Sequence, residues 1–218
     1  MTSKKPESAP RRYKVLSSDG RPIHGGSGQW SLPVDGRPGD WMPTLDRVRV
    51  CDVGYHLTTS PPSWLRPGCR VFLAEGRGAS ESEGGKTAYA SARLLREVTL
   101  SERDLRLLAA DCAEHVLPIY EARYPRDTRP RMAIEAARAY ARGEISSSAG
   151  FAASAAASAA AAVATTAAYA AYAASAAASD ASASAVFAAS DAASDAEREW
   201  QRQRWEWYVR QAYPEVAP

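Results

Sequence analysis

Lysine is nearly missing from this chain. Lys4, Lys5, Lys14 and Lys86 are the only ones in 218 residues, and arginine supplies the rest of the basic charge. That bias, with a heavy excess of alanine, points to a GC-rich bacterial or phage genome. Cysteine is also scarce. Cys51, Cys69 and Cys112 are scattered, make no disulfide framework and fit a reducing compartment. The opening MTSKKPESAPRRYK has no apolar core, so a secretory signal is not expected and a cytoplasmic location is. The net charge of +2, from 27 basic and 25 acidic residues, lacks the basic excess of a dedicated nucleic-acid binder. Gly-x-Ser-x-Gly, a phosphate-binding loop and H-E-x-x-H are all absent. What is present is ordinary globular composition, 45% apolar and 24% charged, in a chain long enough for one large domain or two small ones.

Glycine and proline concentrate before residue 100 and become rare after it. This shift places a domain boundary near Thr99–Ser101. Residues 1–12 read as a flexible basic tail and residues 215–218 as a second tail. Residues 13–100 read as a small α+β, mostly β domain. Tyr13–Leu16 is a strand candidate, Val48–Cys51 another, and Arg70–Gly76 the strongest, bounded by Pro67-Gly68 and Gly76-Arg77-Gly78. Thr87–Leu100 is ambiguous between helix and strand. Trp30, Trp41 and Trp64 read as core or lid aromatics, since no basic stripe accompanies them. The fold class expected is therefore α+β, with an all-α, alanine-rich helical bundle over residues 101–214.

Helix signals support that second half. Ser101-Glu102-Arg103-Asp104 resembles a capping box, with a serine oxygen for an orphan N–H and acids in the first turn. Leu105, Leu108, Ala109, Cys112, Val116 and Ile119 follow at three-to-four spacing and predict the buried face. Pro118 should kink or stop this helix. A break at Tyr124–Thr128 leads to a second helix, with Pro130 in its first turn, Gly143 at its C-terminal cap, and Met132, Ile134, Ala136, Ala137 and Tyr140 as apolar residues. Pro214 should end the last helix, which carries Trp200, Trp205, Trp207, Tyr208 and Val209.

Between these lies an Ala/Ser stretch, 151–196, without glycine or proline. Its helix propensity is high, and a break is expected near Ser179-Asp180. Phe151–Ser179 is uncharged and long enough to span a bilayer, yet almost free of Leu, Ile and Phe, so a membrane role is not expected. Close helix–helix packing through small side chains is the preferred reading. Such flat surfaces suit partner binding or self-association better than catalysis. The aromatics Tyr169, Tyr172, Trp205, Trp207 and Tyr208 are the partner-binding candidates.

Chemical sites are few. Cys112 and His115 form C-x-x-H, and Cys51, His56, Cys69 and His24 could in principle converge. The first lacks a second pair at matching spacing, and the second set of four needs separate loops to converge, so no metal and no cofactor are expected. His24-Gly25-Gly26 and Gly54-Tyr55-His56-Leu57-Thr58-Thr59 are the informative polar clusters. Glycine-flanked histidines can meet a ligand, or they can be turn chemistry around a buried ring. The ligand candidates are His24, Gly25, Gly26, Tyr55, His56, Thr58 and Thr59. No catalytic residue is assigned; Glu75, Glu81, Glu83 and Glu97 are all available acids.

Three resemblances follow from these residues. The histidine before Thr58-Thr59-Ser60 resembles the nicotinamide-pocket pattern of ADP-ribosyltransferase-like folds, which would imply a nucleotide-binding first domain. His24-Gly25-Gly26, Cys51-Asp52-Val53-Gly54-Tyr55-His56, Phe72–Gly76 and Lys86 resemble an uncharacterised domain of phage and bacterial proteins, which implies no activity. Ala109–Pro118, Tyr124-Pro125, Arg129–Arg138, the alanine tract and the close through Trp207 and Tyr208 resemble the alanine-rich, all-helical immunity proteins of bacterial polymorphic toxin systems. That resemblance implies a non-enzymatic protein that neutralises a toxin or effector by occlusion. A self-assembling structural protein is the remaining alternative. A protein partner is expected, and neither nucleic acid nor membrane.

Overall fold

The computed structural model describes residues 10–66, 68–146, 149 and 195–214. The stretch 150–194, with Tyr169 and Tyr172 and the break expected at Ser179-Asp180, lies outside the described residues, as do most of the two tails. The architecture is α+β, as expected: an antiparallel sheet followed by helices. Contacts divide the chain into two compact units. One gathers Met1–Pro61, Arg70–Val98 and Arg210–Pro218; the other gathers Pro62–Cys69 and Thr99–Val209.

The first unit holds β1 (Arg12–Leu16), β2 (Tyr55–Thr58), β3 (Arg70–Glu83) and β4 (Lys86–Val98). All neighbours are antiparallel, and the strands close into a small barrel in the order β1-β2-β4-β3. The β3–β4 hairpin turns through Gly84 and Gly85, both at positive φ, the conformation a two-residue hairpin loop demands. Alternation places Phe72, Ala74, Ala92 and Leu94 inside, where they meet Leu16, Trp30, Met42 and Leu57. Strand β3 is longer than Arg70–Gly76, and the ambiguous 87–98 stretch is strand throughout. Its β-branched and leucine residues, together with pairing on both edges, outweigh the alanine propensity.

Val48–Cys51 is not a strand. Arg49 N–H and Val53 N–H each bond back across the segment, with Cys51 at φ 64, so these residues make a tight turn. The chain before that turn covers the second edge of β4, through Gly39 N–H to Leu94, Met42 N–H to Ala92 and Leu45 N–H to Ala90. Trp41 lies under two guanidinium groups, Arg77 at 4.0 Å and Arg93 at 4.7 Å from its ring centroid.

The second unit contains α1 (Glu102–Arg123), α2 (Arg129–Ala141) and all but the last turn of α3 (Asp195–Ala212). Ser101 caps α1 by accepting the Asp104 N–H at 3.1 Å. Pro130 sits in the first turn of α2, Gly143 follows its C-cap at φ 76, and α3 ends before Pro214. Pro118 does not stop α1, which runs five residues further, to Arg123. The missing N–H costs one bond, and this last stretch is held from α2's side by the paired Arg131–Glu121 bonds, both 2.8 Å.

The buried face of α1 is also rotated from the expected one. Val116 is half-buried and Ile119 is 64% exposed, whereas Arg106, Ala110, Ala113, Leu117 and Tyr120 are buried beside Leu108, Ala109 and Cys112. The apolar periodicity is ambiguous because alanine fits either side, and the long residues that decide it include an arginine. On α2, Ala133, Ile134 and Ala137 are buried and Met132 is exposed.

A Cβ at Gly76 would run into the Tyr89 ring, which lies across this strand position. Gly76→Ala should therefore destabilise the barrel by about 1–3 kcal/mol. Urea unfolding followed by circular dichroism in the β region checks it; an unchanged midpoint would show that the ring can move aside.

Candidate functional site

In the barrel unit Tyr55, His56, Thr58 and Thr59 each hold a hydrogen bond within the fold. His24, Gly25 and Gly26 form an exposed loop stretch. Tyr55 directs its hydroxyl to the Pro43 carbonyl at 2.9 Å and its ring edge-on to Trp30, and burial pushes its phenol pKa up. The hydroxyls of Thr58 and Thr59 both donate to the Gly85 carbonyl, at 3.4 and 3.3 Å, tying the end of β2 to the β3–β4 turn. His56 Nε2 accepts the Cys51 N–H at 2.9 Å and so holds the left-handed turn residue in place. Its pKa is lowered by burial first and by Lys14 next, so the ring is neutral near pH 7. An imidazole whose acceptor nitrogen already holds a backbone N–H cannot take a substrate proton without opening the turn.

The available acids are equally occupied. Glu81 accepts the Val50 N–H at 2.7 Å and Glu83 the Cys51 thiol at 3.6 Å. Glu97 pairs with Arg70 through two bonds, and Glu75 with Arg93. Cys112 is buried, while His115 is exposed and stacks on Trp200 at 3.9 Å between centroids. Among the described residues no three His, Cys, Asp or Glu side chains gather as metal ligands.

The helical unit has a cluster that sequence reasoning missed. Asp111, on the buried face of α1, accepts from Arg138 of α2 at 2.7 Å and from Arg204 and Tyr208 of α3 at 2.7 and 2.8 Å. Arg138 also forks onto Glu114, at 2.9 and 2.7 Å, and this bond, ahead of the one to Asp111, raises its pKa. Burial, then the Asp111 charge, pushes the Tyr208 phenol up. A carboxylate among apolar helix positions was the available signal, because such a group is buried only when paired. Its partners lie 27 to 97 residues away and have no local signature.

The terminal aromatics divide. Trp205 is 1% exposed and Tyr208 5%, so both pack inside the unit. Trp207 is 46% exposed, with the Arg204 guanidinium 4.6 Å from its ring and Tyr208 edge-on beside it.

Residues 98–207 match the model of the family described as Imm-5 like putative immunity protein. No curated protein and no solved structure matches the chain.

Asp111→Ala leaves Arg204 and Tyr208 without their shared acceptor. It should cost about 3 kcal/mol, seen as an earlier urea midpoint by tryptophan fluorescence. Lys14 gives a pH prediction. Burial lowers its pKa from 10.5 to about 8, so between those values the unfolded chain holds the proton and the folded one does not. Stability of the barrel should therefore rise as pH climbs from 8 to 10, and Lys14→Met should flatten that rise in urea midpoints.

Proposed function

The chain belongs to this immunity-protein family, and from that membership we propose that it is a non-enzymatic binding protein whose helical unit neutralises a toxin or effector by occlusion. The observation that carries the reading is the match over 98–207, which takes in α1, α2 and α3 through Trp207 and touches the barrel strands only at Val98, the last residue of β4. The surface chemistry supports it. Trp207 is a large exposed aromatic backed by Arg204, and Arg204 is itself fixed by Asp111. Tryptophan and arginine are the residue types that most often dominate binding energy, and a side chain held in place before binding loses less entropy. Occlusion needs such a rigid, complementary face and no reacting group. A cytoplasmic site of action belongs to the same proposal, since a toxin must be met where it acts.

The nucleotide-binding alternative is not favoured. His56, Thr58, Thr59 and Tyr55 would each have to abandon a bond inside the barrel unit to meet a ligand.

Co-expression with any toxin domain encoded beside the gene tests the reading. The wild-type chain should relieve growth arrest by such a domain. Trp207→Ala should weaken the complex by about 2 kcal/mol or more, roughly thirty-fold, while its own unfolding midpoint stays put. Trp205→Ala should instead lose about 3–5 kcal/mol of fold stability. If no neighbouring toxin is bound or silenced, the proposal fails.

A further inference from the structure

The outer face of α3 carries a second aromatic group in line with Trp207. Trp200, Arg204 and Trp207 stand at i, i+4 and i+7, so they share one face of the helix, turned away from the buried Gln201, Trp205 and Tyr208. Trp200 is half-buried, and the exposed His115 ring of α1 lies flat on it, with 3.9 Å between centroids and 22° between planes. Seven residues of helix put the two indoles about 10 Å apart along the axis. The polar groups between and beside them are already paired. Arg202 and Gln203 each bond to Glu199 at 2.8 Å. Arg204 bonds to Asp111 at 2.7 Å, and Arg138 to Asp111 and Glu114. Charge on this face is thus balanced within the unit. A partner offering a lone carboxylate or guanidinium here would bury it against groups that already have their counter-charges.

We propose that α3 is a docking helix with two aromatic anchors, Trp207 and the His115–Trp200 stack, and that the partner surface it fits is an uncharged groove with two apolar pockets about 10 Å apart. This rests on the occlusion reading above and names the chemistry of the partner in it. Anchors at i, i+4 and i+7 are the spacing of a helix laid in a groove. Both anchors are held before binding, Trp207 beside Arg204 and Tyr208, Trp200 and His115 by each other, so little side-chain freedom is lost on docking. Such an interface gains from burying rings and hardly from long-range attraction. It therefore forms at an unsteered rate and tolerates salt.

The full-length chain is passed over an immobilised toxin domain encoded beside the gene, by surface plasmon resonance in about 50 and about 500 mM NaCl. Association should run at roughly 10⁵–10⁶ M⁻¹s⁻¹, and Kd should change less than about three-fold between the two salts. His115→Ala should weaken binding about ten-fold with its unfolding midpoint unchanged, since the ring lies on the surface. His115→Phe, which keeps a ring on Trp200, should restore most of that loss. Gln203 is exposed between the anchors. Gln203→Lys can keep the contact with Glu199 while adding a charge there, and it should also weaken binding about ten-fold. A Kd that rises about ten-fold or more with salt, or a Gln203→Lys chain that binds more tightly, reveals a charged partner surface and overturns the proposal while the occlusion reading stands. His115→Ala binding like the wild type removes the second anchor and overturns it too. No binding by the wild-type chain in either salt is the failure of the occlusion reading itself, and this proposal falls with it.

Discussion

One carboxylate holds three helices. Asp111 lies on the buried side of α1 and is met by Arg138 from α2 and by Arg204 and Tyr208 from α3. The dependence is physical. The faces that pack around it are largely alanine, with Ala109, Ala110 and Ala113 on α1 and Ala133 and Ala137 on α2. Small side chains let backbones approach closely, but they encode little shape, and one helix can slide along another at low cost. A buried charge removes that freedom. Displaced by one turn, Asp111 would be left without donors in a poorly hydrated place, and that error costs more than any alanine contact returns. Arg106 works similarly at the start of α1, buried against Tyr140 with its ring 4.6 Å away. The polar groups therefore specify the register, and the alanines fill the space.

The barrel follows a different logic. Its core is apolar, its strands alternate, and its hairpin turns on Gly84-Gly85. Its polar residues close the seams: Thr58 and Thr59 on the Gly85 carbonyl, His56 on the Cys51 turn, Tyr55 on Pro43. Glycine-flanked histidines and Thr-Thr turns have the same composition whether they receive a ligand or fasten a loop. For Tyr55, His56, Thr58 and Thr59 the hydrogen-bond partners are backbone groups of the same unit.

That difference explains what was legible in the sequence. Local signals translated directly into structure. The Ser101 cap, Pro130 at the first turn of α2, Gly143 past its end and the stop before Pro214 each depend on a few neighbouring residues, and so does strand β1. Non-local outcomes did not. Whether 87–98 is helix or strand depended on partners at 55–58 and 70–83. The side of α1 that is buried depended on Asp111 and Arg106, two charged residues that an apolar pattern discards. Pro118 stayed inside its helix because α2 supports the turn beyond it. In the candidate site, Trp207 could be picked out as an aromatic, but its exposure beside the burial of Trp205 and Tyr208 follows from how α3 meets α1.

The span of the Asp111 cluster sets an order of events during synthesis. The ribosome delivers Asp111 and Arg138 early, but Arg204 and Tyr208 emerge only after another 66 to 70 residues have been added, most of them from the alanine tract. Until then Asp111 can meet Arg138 but not its two donors from α3. The barrel strands, by contrast, are all present once Val98 has left the tunnel. The nascent protein thus passes through a period in which one half has every strand it needs and the other waits for its last helix. A ribosome that stalls within the alanine tract would release a chain whose barrel strands are complete and whose α1–α2 hairpin still exposes the face meant for α3. Such a chain is a ready substrate for quality-control proteases.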